Sequence, residues 1–169
     1  MNDALPPHHG FVLNHTMLRI KDPAISLQFY EQVFGMTLLR KVDFPEMLFS
    51  LYFLAKLNPD EIPPTDEGER TVWTFNQRGV LELTHNWGTE NKPEHQYHDG
   101  NAQPQGFGHI CFAVPNLTQA VAWFDDNKLT YVKRPEQGKM RNVAFVKDPD
   151  GYWIEIVQAD LLAQLGKSA

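Results

Sequence analysis

Two stretches of this chain, HTMLRIKDPAISLQFYEQVFG from His15 and HICFAVPNLTQAVAWFDDNK from His109, align without a gap. They pair His15 with His109, Ile20 with Val114 and Tyr30 with Phe124. An internal repeat limits the fold more than composition does, because each copy is expected to build the same unit and bury the same face. In the first copy an extended run leads to Asp22 as N-cap and Pro23 at the first helical position. Ile25, Phe29, Tyr30, Val33 and Phe34 follow at helical spacing, and Gly35 ends the helix. In the second copy Asn116 is the cap, and Leu117, Ala120, Val121 and Phe124 form the buried stripe. Three strand-like segments follow each helix: TLLRKVDF, FSLYFLA and VLELTHN, then TYVKRP, NVAFVKD and YWIEIVQ. Each half therefore reads as β-α-β-β-β. The class is α+β, with two tandem modules at 11–88 and 106–158.

The His-to-Glu spacing is longer in the first half, and the excess lies in KLNPDEIPPTDEGERT, residues 56–71. Rich in proline and acid, this segment reads as a surface insertion. Residues 89–105 read as a linker whose His95 and His98 are solvated loop residues, and residues 1–10 as an arm whose His8 and His9 are read the same way. Residues 159–169 form a C-terminal tail. At 169 residues and 42% hydrophobic, the chain can bury a core of this size. A net charge of −6 with no basic stripe excludes a nucleic-acid binder. No apolar run approaches membrane length, and the N-terminus carries no secretory pattern, so a cytoplasmic location is expected. A single cysteine, Cys111, excludes an internal disulfide; its strand-like setting GHICFAV predicts a buried thiol.

The last strand of each half follows a glycine, Gly79 or Gly151, and carries a glutamate at its centre, Glu82 or Glu155. A carboxylate between apolar neighbours must be exposed, protonated, paired with a cation or bound to a metal. Side chains alternate along a strand, so His15 shares a face with Met17 and Arg19, Glu82 with Thr84 and Asn86, His109 with Cys111, and Glu155 with Trp153 and Val157. Taken singly, each of these residues has an ordinary reading, a hydrogen-bonded histidine or a glutamate facing water. Their recurrence as His-then-Glu in both halves favours one divalent ion held by two imidazoles and two carboxylates.

The blocks HTMLRIKDP, SLQFYEQVFGMTLL, FSLYFLA, LELTHNWGTE, GFGHICFAVP, GKM and FVKDPDGYWIEI resemble the vicinal oxygen chelate superfamily. Within it they resemble the glyoxalase I, or lactoylglutathione lyase, family, from about Phe11 to Gln158. The resemblance implies paired βαβββ modules with cup-shaped mixed sheets, and a homodimer whose sites form between subunits. It puts the metal ligands at His15, Glu82, His109 and Glu155, the first pair from one subunit and the second from its partner. The implied reaction isomerises the hemithioacetal of methylglyoxal and glutathione to S-lactoylglutathione, detoxifying 2-oxoaldehydes. Glu155 is then the principal base and Glu82 its near-symmetric counterpart. Arg19 and Asn86 would anchor the glutathione carboxylates, with Lys139 and Met140 of the GKM segment closing over the ligand.

Two positions depart from that pattern. Zinc-dependent animal members carry Gln where this chain has His15, and short nickel-activated bacterial members carry His there. The N-terminal arm and the 56–71 insertion follow the long zinc form, so zinc is favoured and nickel is also suited. Gln105 stands where the family usually has an arginine that contacts glutathione; Arg141 or Arg134 would substitute, or the thiol differs. Within the superfamily the alternatives are an extradiol dioxygenase, with iron on two His and one Glu, and a metal-free drug-binding dimer.

Overall fold

A computed structural model describes residues 7–163; the rest of the arm and of the tail, 1–6 and 164–169, lie outside the described residues. The chain divides into two compact units between Pro93 and Glu94.

In the first unit, β1 (His15–Ile20) leads into α1 (Pro23–Phe34), then β2 (Thr37–Phe44), β3 (Phe49–Ala55), α2 (Glu67–Asn76) and β4 (Val80–Asn86). The sheet order is β1-β4-β3-β2, with β1 and β4 parallel and the other pairs antiparallel. The second unit holds β5 (His109–Ala113), α3 (Leu117–Asp126), β6 (Tyr131–Lys133), β7 (Val143–Lys147), β8 (Trp153–Val157) and a short α4 (Ala159–Leu162). Its sheet order, β5-β8-β7-β6, repeats the first with the same senses of pairing. Both histidines thus open an edge strand that pairs in parallel with the glutamate strand.

The caps act as the sequence predicts. Asp22 accepts from Ala24 N and Asn116 from Gln119 N, each satisfying a donor that the first helical turn leaves open. Gly35 closes α1 in the left-handed region. Gly79 and Gly151, at φ +66° and +94°, turn the chain into β4 and β8, a conformation any side chain would strain. Behind Gly151, the buried Asp148 accepts from Asp150 N and Tyr152 N through Oδ1, so a rigid turn sets the entry of β8.

Alternation then decides which residues meet the core. Leu18, Ile20, Leu81 and Leu83 are buried on the face opposite Arg19 and Glu82, with Tyr30 of α1 also fully buried. In the second sheet Ala144, Val146, Ile154 and Ile156 are fully buried, with Leu117 and Phe124 of α3. Ile25 departs from its expected stripe and is 55% exposed. It sits one residue before the buried Ser26, on a helix whose inward side is set by Ser26 and Tyr30 at i and i+4.

The insertion also differs from expectation. Rather than a plain surface loop, residues 56–71 run into α2, which starts at Glu67 and is capped by Asp66 accepting from Glu69 N. Trp73 of α2 and Leu57 pack on a cluster of Leu39, Phe53, Ala55 and Val80. Phe53 is the cross-strand neighbour of Glu82, so the insertion covers part of the glutamate-bearing face. The linker is likewise built. His95 is half-buried with its ring edge-on to Tyr97, whereas His98 is exposed as expected, its Nδ1 accepting from Gly100 N at 2.8 Å.

Candidate active site

His15 Nε2 lies 3.0 Å from Glu82 Oε2. The parallel register sets Met17 beside Glu82 and Arg19 beside Thr84, which puts His15 one step along the same face. Thr84 Oγ1 donates to Glu82 Oε1 at 3.2 Å, so both oxygens of this carboxylate are engaged. The ring of His15 is met edge-on by Phe53 of β3 and Phe75 of α2. Asn14 Oδ1 lies 2.8 Å from its other nitrogen, Nδ1.

The second unit repeats the pair. His109 Nε2 lies 3.3 Å from Glu155 Oε2, with Phe145 edge-on to the imidazole in the place of Phe53. Phe145 neighbours Glu155 across the sheet as Phe53 neighbours Glu82. This pair is more open: the His and Glu side chains keep 39% and 19% of their surface, against 33% and 13% in the first unit. Trp153, beside His109 in the register, has a buried indole nitrogen with no hydrogen-bond partner.

Cys111 corrects an expectation. It is exposed rather than buried, because alternation along β5 puts it on the face of His109, with Ile110 and Phe112 turned the other way. Its thiol is nonetheless partly withdrawn from water beside Glu155. That desolvation, reinforced by a hydrogen bond to the carboxylate and its charge, pushes the thiol up to about 11. Parity along the strands had put Cys111 and Thr84 on these faces; Asn14 is the site neighbour that sequence reasoning missed.

The expected substrate-binding residues fall in both units. Arg19 is exposed on the His15 face, and Asn86 lies two residues past Thr84 on the same side of β4. Lys139 and Met140 lie exposed between β6 and β7. Lys133 Nζ closes the base of that loop by donating to Val143 O and Arg134 O. Of the two arginines expected to stand in for Gln105, Arg134 is committed elsewhere: its guanidinium pairs with Asp125 and stacks on Tyr131 at 4.1 Å. Arg141 and Gln105 are both exposed.

Among the described residues no group of three or more His, Cys, Asp or Glu side chains is arranged to hold a metal ion; the donors come as two pairs. Two imidazoles and two carboxylates are a suitable donor set for a divalent first-row ion, and each pair brings Nε2 and Oε2 to one point. Each pair by itself fits such an ion as two of its ligands. Among the described residues no helix is long and apolar enough to cross a membrane.

Comparison with known proteins agrees with this architecture. The family model described as the glyoxalase/bleomycin resistance protein/dioxygenase superfamily matches residues 12–156. A lactoylglutathione lyase of Pseudomonas aeruginosa is 54% identical over 93% of this chain and 88% of its own length. Glyoxalase I of Saccharomyces cerevisiae is 47% identical over 86% of this chain and 44% of its own. Among solved structures, the trypanothione-dependent glyoxalase I of Leishmania major superposes with a TM-score of 0.67 at 28% identity, covering 94% of both chains.

Proposed function

The chain belongs to the glyoxalase/bleomycin resistance protein/dioxygenase superfamily, as a lyase of its lactoylglutathione lyase group, and we propose that it isomerises the hemithioacetal of methylglyoxal and glutathione to S-lactoylglutathione. The observation that carries this reading is the duplicated His–Glu pair, with 3.0 Å and 3.3 Å contacts at matching positions of two sheets. In the proposed enzyme His15 and Glu82 of one protomer and His109 and Glu155 of its partner hold one divalent ion, zinc before nickel. A separated protomer is then inactive.

When bound, the ion would stabilise the negative charge that develops on the two vicinal oxygens of the substrate. Glu155 takes the proton from the carbon bearing sulfur and returns it to the neighbouring carbon, so no atom is gained or lost. Glu82 does the same from the other side for the opposite substrate configuration. Arg19, exposed on the face of His15 and Glu82, binds a carboxylate of the thiol, and the Asn86 amide hydrogen-bonds beside it. Lys139 and Met140 close over the product-forming end and keep water from the carbanion-like centre.

Gln105 leaves one anionic group of the thiol without its usual partner, and Arg134 is already paired, so Arg141 is the cation that remains to meet it. The thiol preference is therefore tested with the activity. The protein is stripped with a chelator, reloaded with zinc or nickel, and thioester formation is followed from methylglyoxal with glutathione or with a second thiol. Thioester with at least one ion is expected; none with either ion and either thiol overturns the activity.

A further inference from the structure

Asn14 precedes the first histidine and has no role in the chemistry above, yet it decides how His15 can present itself. Its amide nitrogen donates to two backbone carbonyls at the end of α2, Thr74 O at 3.2 Å and Gln77 O at 2.9 Å. With the nitrogen so committed, only its oxygen can face the imidazole, and a flipped amide would set oxygen against two carbonyls. That oxygen lies 2.8 Å from His15 Nδ1. An amide oxygen accepts and cannot donate, so Nδ1 carries a proton. Nε2, the nitrogen 3.0 Å from Glu82, is then the one that gives up its proton and offers a lone pair when an ion binds.

We propose that Asn14 is a positioning residue: it fixes the Nδ1–H form of His15 and aims Nε2 at the metal, tying this ligand to the end of the inserted helix α2. The proposal rests on the reading of His15 as a ligand. A carbonyl or carboxylate behind a metal-bound imidazole orients the ring and raises its basicity, and losing it costs 10–100-fold in affinity in typical sites. The corresponding position before His109 is Gly108, which has no side chain to play this part.

The test uses the full-length protein with zinc as probe, its affinity measured by competition with a chromophoric chelator. Asn14→Ala removes the acceptor and is expected to weaken zinc binding by roughly 10–100-fold. Asn14→Asp keeps an oxygen at Nδ1 but loses both donors to α2. It should melt at a lower temperature, as Asn14→Ala does, and yet bind zinc nearly as the parent does. In the zinc-loaded parent and in Asn14→Asp, nitrogen-proton NMR should show a hydrogen-bonded proton on His15 Nδ1, and in Asn14→Ala that signal should vanish. Equal loss of zinc affinity in both variants would reduce Asn14 to a brace between β1 and α2, and parent-like affinity in Asn14→Ala would remove its role altogether. His15→Ala separates the two levels. If it binds zinc as tightly as the parent, the ligand assignment falls and takes this proposal with it. If it binds weakly while Asn14→Ala binds tightly, only the proposal falls.

Discussion

In the first unit an asparagine side chain holds the imidazole; in the second an asparagine side chain holds the backbone behind it. Asn14 meets His15 Nδ1 through its oxygen, whereas Asn101 donates through Nδ2 to Gly108 O at 2.7 Å, fixing the residue before His109. Among the described residues His109 Nδ1 has no hydrogen-bond partner. The first pair also lies under Phe75 of α2, an element without a counterpart in the second unit. Register and fold are shared, so the repeat itself fixes where each histidine and glutamate stands within its own sheet. The support around them is what differs, and it comes from residues outside the repeat.

The largest expected effect tests whether the two glutamates are equivalent. Glu155→Gln should lower turnover by roughly 10²–10⁴-fold, the range for removing a general base, while Glu82→Gln retains more of it. Equal losses, read from the rate of thioester formation with each variant still folded, would mean that neither glutamate leads. Next comes packing. Phe53→Ala should cost about 3–5 kcal/mol in urea unfolding, because Phe53 is 2% exposed between sheet and α2. Phe145→Ala, at the matching but half-buried place without a covering helix, should cost clearly less, and an equal cost would deny that the inserted helix matters to the first unit. A smaller effect should appear in zinc competition, where His15→Ala loses more affinity than His109→Ala, since the His15 ring is pre-oriented by the Asn14 oxygen. The reverse ranking would break the comparison. Smallest are the caps: Asp22→Ala and Asn116→Ala should each lose about 1 kcal/mol, because each side chain accepts one backbone N–H of the first turn, at the second helical position in one unit and the third in the other.

Much of this was legible because it obeys local rules. Caps, stop glycines and period-two alternation give the helices, the strands and the faces of His15, Glu82, His109 and Glu155 from residue order alone. Alternation applied to Cys111 also pointed to the His109 face; the expectation of a buried thiol followed the average behaviour of cysteine instead. The helix α2 was obscured by the prolines and acids before it, although Asp66 with acidic residues in the first turn was a readable start signal. Asn14 was not legible, because its role depends on two carbonyls some sixty residues along the chain, at the end of that unrecognised helix. A long-range hydrogen bond leaves no periodic trace.

A methyl group built on Gly100 would sit 1.7 Å from Phe107 O, and Gly106 N returns a hydrogen bond to Gly100 O at 2.9 Å. The segment 100–107 is thus a clasp with no room for a side chain at its pivot, and it belongs wholly to the second unit. Engineering should respect that. Tags and grafted epitopes belong in the exposed stretch 58–60, and a chain cut between Pro93 and Glu94 keeps the clasp on one fragment and the Asn14 brace on the other. Co-expressing those fragments would ask whether two separately made pieces can still assemble a working centre.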